Sequence, residues 1–463
     1  MIKNIFVSKS QVEKERRFNP KYFYFIDRRD RLINSSTYKF AFFSDKKYFP
    51  IVSDGIHGTV SLMKQGKIKY LYVHSLKEGF IDITDNLFLE GTDHKKYSSK
   101  ELKFNDVLLS VVGTLGSTAI FRDYVEFITS IPRNIAYIRV NEKKILPEYL
   151  MCFLLSKFSK EQCIFSGGGN IQGLISLTKL NKFVIPIPSL KVQEKYRDAL
   201  NDAIHLQKIF LETISNAKRF FYNKLQIDFQ AIKKDMNFNP SLGDLIKNEL
   251  WTPNLYYPYP DKLLGEIGKK FELVEIGTVA TIKKGNEIGS DVYQDYLSKN
   301  EDSVPFIRTS DIFNHEIDSF PDFYAPKSVY NDLNQDFKVG DLIINNDGRI
   351  GYPAMITKED KAIFQSHIKR IRVKNENEFD NNYIFLCLLI PEIGGIQFKK
   401  FTVVQSTIPT IAKRIEQVKI PKLKKEDCEE ISNKIKIGYK YFEEKKMIIK
   451  HLKKEMNLLL DYN

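Results

Sequence analysis

Four cysteines, one tryptophan and no long apolar run in 463 residues each close off a class of protein. Cys152, Cys163, Cys387 and Cys428 lie far apart with no CxxC pair, which excludes a disulfide scaffold and leaves reduced, structural thiols as the expectation. No stretch approaches the ~18 apolar residues of a membrane span. The opening "MIKNIFVSKSQVEKERR" turns polar at once, so no signal peptide is expected and a cytoplasmic location is. The seven histidines are scattered, with no HExxH and no His–Cys cluster, so no metal site is expected.

Catalytic signatures are missing too. "SGGGNIQG" (Ser166 to Gly173) is glycine-rich, but no GK[ST] follows, so it reads as a surface loop rather than a phosphate cradle. The Asn-Pro-Pro-aromatic motif of DNA amino-methyltransferases is absent: "FNPKY" and "FNPSL" carry one proline each. A metal-dependent nuclease would need Glu359 and Lys361 on a strand beside Asp322, yet "ITKEDKAIF" reads as a charged turn. No catalytic centre is expected.

What is present is positive charge and a repeat. The formal charge of +13 points to a polyanionic partner, nucleic acid above all, although Lys-rich composition alone produces the same surplus in some soluble proteins. With 43% hydrophobic and 28% charged residues, the chain has enough apolar content for real cores, and its length suits two or three domains. "NDVLLSVVGTLGSTAIF" (Asn105 to Phe121) is echoed by "GDLIINNDGRIGYPAMI" (Gly340 to Ile356), with Asp106 matching Asp341, Gly113 matching Gly348 and Gly116 matching Gly351. Other blocks follow in the same order. "YLYVHSLKEGFID" from Tyr70 pairs with "FIRTSDIFNHEID" from Phe306, and "FNPKYF" from Phe18 pairs with "WTPNLY" from Trp251. "NIQGLISLTKLNKFVIPIPSL" from Asn170 pairs with "VVQSTIPTIAKRIEQVKIPKL" from Val403, which matches Gln172 with Gln405, Ile175 with Ile408 and Pro188 with Pro421. So long a period means two whole domains rather than a solenoid.

Each half changes texture partway. Short runs of Val, Ile, Tyr and Phe broken by Gly, Asn and Pro read as strands and turns. Past Pro188 and Pro421, where proline suits a helix start, apolar residues recur at steps of three and four. The first stripe is Tyr196, Leu200, Ala203, Gln207, Leu211, Ile214, Ala217, Phe221 and Leu225. The second is Cys428, Ile431, Ile435, Tyr439, Phe442, Ile449, Leu452, Met456 and Leu459, and it skips one turn after Phe442. Stripes this narrow suit a coiled-coil seam, and helices of roughly 35 residues would span about 50 Å. Two unrelated helices, each packed on its own domain, are the alternative.

In order and in duplicate, "SDGIHGT", the Ser110-to-Gly116 turn and "IQGLIS…IPIPSLKVQEK", then "IKKGNEIG", "PFIRTSDI", "NDGRIG" and "QSTIPTI…IPKL", resemble the Type I restriction-modification specificity (S) subunit. The resemblance covers nearly the whole chain. It departs at the second helix start, where Lys424-Lys425-Glu426 stands for Val192-Gln193-Glu194, and in the long segment from Ala231 to Trp251. It implies an α+β fold of two tandem target-recognition domains, each followed by a long helix, the two helices pairing as an antiparallel coiled coil. The corresponding boundaries are 1–187 for the first domain, 188–230 for the central helix, 231–250 for a linker, 251–420 for the second domain and 421–463 for the C-terminal helix. It also implies a non-catalytic chain that reads a split site on double-stranded DNA. Its expected partners are methyltransferase (M) subunits, which would hold S-adenosylmethionine, and restriction (R) subunits, which would use ATP and Mg. No cofactor is expected in this chain itself, and no membrane.

Candidate DNA contacts come from the loops between blocks. Arg349 and its counterpart Thr114 sit on the glycine turns, and the difference between them suits readers of different bases. Ser53, His57 and Thr59, then Arg308, Thr309 and Ser310, are further candidates, with Gln172 and Gln405 suited to adenine edges. Lys64, Lys67, Lys283 and Lys284 suit phosphates. Turn-setting or capping roles stay open for each, and the glycines themselves are expected to set the backbone. Two rivals remain: a self-sufficient nuclease or methyltransferase, and a coiled-coil scaffold whose domains bind protein.

Overall fold

Asp106 and Asp341, the acids that open the two echoed stretches, are both buried and both ion-paired. Arg139 donates Nε to Asp106 Oδ1 at 2.6 Å and Arg372 donates Nε to Asp341 Oδ1 at 2.6 Å. The second carboxylate oxygen of each accepts a backbone N–H three residues upstream, from Lys103 at 2.8 Å and from Lys338 at 2.7 Å. The echo is therefore a structural device, a carboxylate tying a turn to the neighbouring strand. The structure, a computed structural model, describes residues 7–15, 19–84, 87–167, 173–234, 238–248, 252–286, 289, 293–298, 303–404 and 408–460. The chain divides into two compact units, Met1–Ala203 with Ile448–Asn463, and Ile204–Met447.

The same sheet is built twice. In the first unit, antiparallel strands run in the order Ile51–Asp54, Ile135–Arg139, Val107–Ser110, Thr118–Ile120. In the second the order is Ala280–Lys284, Ile368–Val373, Leu342–Asn345, Pro353–Met355. The runs "VLLS" and "LIIN" become strands buried at every position, as short continuous apolar runs do. Beside each sheet lies a parallel pair, Ile68–Tyr70 with Ile128–Ser130 and Val304–Ile307 with Ile363–Phe364. Each unit also has a small hairpin, Leu76–Lys77 with Phe80–Ile81 and Ile312–Phe313 with Glu316–Ile317.

A buried helix follows in both, Pro147–Leu155 and Asn381–Leu389. Its tyrosine reaches a proline carbonyl on the closing strand: Tyr149 donates to Pro186 O at 2.9 Å, and Tyr383 donates to Pro421 O at 2.5 Å. A buried glutamine then closes the strand by both ends of its amide. Gln162 receives Val184 N–H at 2.9 Å and donates to Val184 O at 3.0 Å, while Gln397 makes the same pair with Lys419, both at 2.8 Å.

These bonds correct the alignment of the last block. Pro421 is equivalent to Pro186, not Pro188, and it lies in the strand Lys419–Lys422 rather than at a helix start. Ile175 is equivalent to Ile411, not Ile408, because their N–H groups bond to matching carbonyls, Val111 O at 2.8 Å and Asn346 O at 3.0 Å. "IPIP" offers two Ile-Pro steps, and a shift of two residues keeps every side chain on its face of the strand, so hydrophobic pattern cannot choose between them.

The two long helices are Leu190–Leu225, of 36 residues, and Lys425–Leu459, of 35. Their stripes are buried nearly as patterned, with Phe210 rather than Leu211 and Leu460 rather than Leu459 turned inward. Within the second unit the helices pair antiparallel. Phe210 stacks on Phe442 with ring centroids 3.5 Å apart, and Lys224 Nζ meets Asp427 at 2.7 Å. The α+β architecture expected from sequence, two strand-rich domains each followed by a long helix, is the one observed. The expected linker at 231–250 contains a short helix, Leu242–Asn248. Among the described residues no helix is long and apolar enough to cross a membrane.

Candidate nucleic-acid interface

In the second unit the buried strand Leu342–Asn345 runs out into the turn that carries Arg349. The turn is held by main-chain bonds, Gly348 N–H to Pro409 O at 2.9 Å and Gly351 N–H to Asn345 O at 3.2 Å. Gly351 has φ +85°, and a Cβ there would stand 2.5 Å from the Phe398 ring, so only glycine fits. The side chain of Asn345 donates to Thr309 O at 2.9 Å, and the Thr309 hydroxyl lies 3.8 Å from where a Gly348 Cβ would be. Thr309 and the Arg349 turn are thus brought together. Arg349, half-buried, lays its guanidinium over the Tyr352 ring, 4.1 Å from the centroid.

Two further groups crowd this turn. Asp347 accepts from Asn346 Nδ2 at 2.7 Å and pairs with His367 Nδ1 at 2.5 Å. On the adjacent strands Lys284 stands directly opposite Lys369, while Lys283 stands on the other face of the sheet, opposite Arg370, which is buried and paired with Asp336 at 2.6 Å. Like charges facing each other across a sheet are unfavourable unless an anion or acid lies near. Burial, reinforced by Lys284 and Lys413, holds the Lys369 ammonium below its usual value against the pull of Asp347 and Glu416. Lys284, Lys369 and Lys413 thus form a cationic group, tempered by Asp347 and Glu416, of a kind that suits a polyphosphate backbone.

The first unit keeps the turn and changes its surroundings. Gly113 N–H bonds to Gly173 O at 3.1 Å and Gly116 N–H to Ser110 O at 3.1 Å. The Ser110 hydroxyl donates to Thr114 O at 2.5 Å and accepts Ser117 N–H at 2.8 Å. Thr114 is exposed at the tip. Val111 and Val112 take the places of Asn346 and Asp347, while Asp54 and Ala136 take those of Lys284 and Lys369. Ser53 is the counterpart of Lys283. The structure gathers Ser53 and His57 around Asp54: His57 Nε2 lies 2.8 Å from Asp54 Oδ2, and Lys100 Nζ reaches Ser53 Oγ at 3.2 Å and Asp54 O at 2.9 Å. Thr59, Lys64 and Lys67 are exposed on the segment leading to the Ile68–Tyr70 strand.

Arg308 has local partners of its own. Its Nε meets Asp311 at 3.1 Å, its Nη2 meets Asp322 at 2.8 Å, and it covers the Phe323 ring at 4.7 Å. Ser310 Oγ likewise bonds Asp311, at 3.2 Å. Gln172 and Gln405 lie outside the described residues. Of the acids in the nuclease pattern, Asp322 is bonded to Arg308 and Glu359 lies in a turn rather than on a strand. Sequence reasoning missed His367, Lys369 and Lys413. The alternation of "IKRIRV", whose Arg370 and Arg372 serve internal ion pairs, hides the one lysine that does not.

Residues 61–219 and 268–454 both match the family described as Type I restriction modification DNA specificity domain. The chain belongs to that family. Each matched region of this specificity-family chain holds one glycine turn, Gly113–Gly116 in the first and Gly348–Gly351 in the second. A stretch of 181 residues, 36% of this chain, is 23% identical to the Type I restriction enzyme EcoBI specificity subunit of Escherichia coli and spans 38% of that relative's length. Among solved structures, the Type-I restriction-modification system S subunit from M. genitalium is 12% identical, with TM-score 0.32, over 93% of this chain and 96% of that one. The HsdS subunit from Thermoanaerobacter tengcongensis is 12% identical, with TM-score 0.28, over 92% and 96%. The family assignment rests on the match over both halves.

Proposed function

We propose that this chain is the DNA-reading subunit of a Type I restriction-modification complex, each half reading one part of a split, asymmetric site. The observation that carries the reading is one frame built twice in a specificity-family chain, with different side chains on the two turns. Arg349 presents a guanidinium where Thr114 presents a hydroxyl, and these groups select different base edges. Lys283, Lys284 and Lys369 in the second half, and Lys64 and Lys67 in the first, meet phosphates and add affinity without sequence choice. Ser53, His57, Thr59, Thr309, Ser310, Gln172 and Gln405 are the remaining proposed contacts, and Arg308 acts by shaping the loop that carries Thr309. The helix pair spaces the two readers along the DNA and docks methyltransferase subunits. Catalysis, with S-adenosylmethionine, ATP and Mg, belongs to the partner subunits.

The test is sequencing of methylated bases in a host that expresses this chain with its neighbouring methyltransferase, compared with a deletion of this chain alone. A split adenine-methylated motif that vanishes on deletion is the expected result. Replacing residues 286–406 with the matching segment of a relative should change one half of the motif only. An unchanged methylation pattern on deletion overturns the reading, and simultaneous change of both halves overturns the two-reader scheme.

A further inference from the structure

The stripe of the second long helix skips one turn after Phe442, and the residues that fill the gap are Lys445 and Lys446, both wholly buried. Buried ammonium groups persist only when ion-paired and fully hydrogen-bonded, so their partners show what the helix is built to hold. Those partners lie on the hairpin Ile312–Ile317, on the turn beside it and, for Lys445, on the facing long helix, where Gln207 Oε1 accepts at 2.7 Å. Three successive hairpin residues are gripped by three side chains of one helix. Tyr439 donates its hydroxyl to His315 O at 2.7 Å. Lys445 bonds both carboxylate oxygens of Glu316, at 2.6 and 2.7 Å. Lys446 donates to Ile317 O at 2.7 Å and to Asp360 Oδ1 at 2.6 Å.

The first half fills the two matching acidic places with apolar side chains. Phe80 occupies the place of Glu316 and Val125 that of Asp360, and both are buried. There the N–H of Ile120 bonds directly to Gly79 O at 3.0 Å. In the second half the Tyr439 hydroxyl is inserted at the equivalent place, accepting from Met355 N–H at 3.1 Å while donating to His315 O.

The gripped hairpin continues into the turn Thr309–Asp311, and Thr309 O is held by Asn345 at the base of the Arg349 turn. Helix and candidate reading turn are therefore joined through short, hydrogen-bonded steps. An apolar seam can slip by a turn and still be apolar, whereas a slip here would strand two ammonium groups and two carboxylates away from water.

We propose that Tyr439, Lys445 and Lys446 are positioning residues that fix the second reader in one register on its helix, and thereby the spacing at which it meets DNA. The inference rests on the reading given under Proposed function. A slip of one helical turn is about 5.4 Å. Base pairs are about 3.4 Å apart, so such a slip would move the reader by roughly one and a half of them.

The experiment uses the full chain co-expressed with its methyltransferase partner on plasmids whose half-sites are separated by spacers graded in single base pairs. Two paired variants replace each ion pair by apolar residues, Lys445→Met with Glu316→Phe and Lys446→Met with Asp360→Val, the Phe and Val being those of the first half. Pairing avoids leaving a buried charge alone, and circular dichroism and melting check that each variant folds. The bases read in each half-site should stay the same, while discrimination against a spacer one pair too long or short falls from about 100-fold to about 10-fold, since misplacement by an ångström typically costs about 100-fold. Folded variants that discriminate as the wild type does overturn the proposal. So does loss of methylation at every spacer, which would make the grip a matter of assembly rather than register. A wild-type chain that directs no split-site methylation overturns the underlying reading and the grip with it.

Discussion

The two halves agree down to single hydrogen bonds in the frame and diverge in how they are attached to the long helices. Arg139 and Arg372, Tyr149 and Tyr383, Gln162 and Gln397 are interchangeable parts. The attachments to the long helices are not. The first half uses a neutral amide, Gln193, whose Oε1 accepts Leu146 N–H at 2.8 Å and whose Nε2 donates to Pro188 O at 3.0 Å. Cys428, with a weak 3.8 Å bond to Leu423 O, stands at that place in the second half, which also grips through Lys445 and Lys446. A duplicated fold thus conserves its bonds where geometry leaves one solution and exchanges them where any filled site will serve.

The largest break in this comparison should come from Lys445→Met alone. It removes the ammonium that hydrogen-bonds Glu316 and leaves only the attraction of Lys446, and the second unit should lose about 3–5 kcal/mol by urea denaturation. Adding Glu316→Phe should restore part of that, because it removes the stranded carboxylate while the Gln207 amide oxygen stays without its donor. A single variant within about 1 kcal/mol of wild type would mean the carboxylate finds water or another donor.

Next come the glycine turns. Gly351→Ala meets the Phe398 ring at 2.5 Å, whereas Gly116→Ala meets Cys163 at 3.4 Å, both at φ +85°. The backbone penalty of about 1 kcal/mol is common to the two, and overpacking should add about 2 kcal/mol in the second half only. Equal losses by differential scanning calorimetry would show that Phe398 moves aside.

Gln162→Leu and Gln397→Leu should behave alike. Each strands one N–H and one C=O of a closing strand, a loss of about 2 kcal/mol in either half. A gap between them wider than about 1 kcal/mol would show that the shared frame is not equally supported.

The smallest effect is acid sensitivity, which should belong to the second half. Asp380 caps the helix Asn381–Leu389, accepting Asn382 N–H at 2.6 Å, and Lys436 stands 2.9 Å away. Burial alone would raise this carboxyl, but the bonds from Lys436 and Asn382 prevail and hold it below the usual range. A depressed acid contributes stability above its unfolded value, about 3.9, that is lost as pH falls through the folded one. Leu146, at the matching cap, has no carboxylate to titrate. Melting followed from about pH 5 to about pH 2 should therefore show a step from this carboxylate in the second unit that Asp380→Asn removes; a step that survives the substitution assigns it to another acid.

Much of this was legible in the sequence, for identifiable reasons. The glycines and the acids before them stand out because few residues tolerate φ near +85° or a buried ion pair. The long helices were legible because a stripe repeated over roughly ten turns averages out exceptions. The register of the closing strand was not, since "IPIP" looks the same after a two-residue shift. Nor was the lysine grip: the skipped turn after Phe442 was visible, but only the fold brings Glu316 and Asp360 to it. His367 and Lys369 were hidden similarly, as they take on meaning only when the strands pair.

Thr114 and Arg349 sit on turns whose shape is dictated by backbone hydrogen bonds and by neighbouring glycines, not by their own side chains. The vocabulary of such a position can be rewritten while the grammar around it stands. On the proposed reading, a lineage can recode what each half recognises by point substitution, with little risk to folding, and the two halves can drift to unlike targets while remaining structurally the same domain.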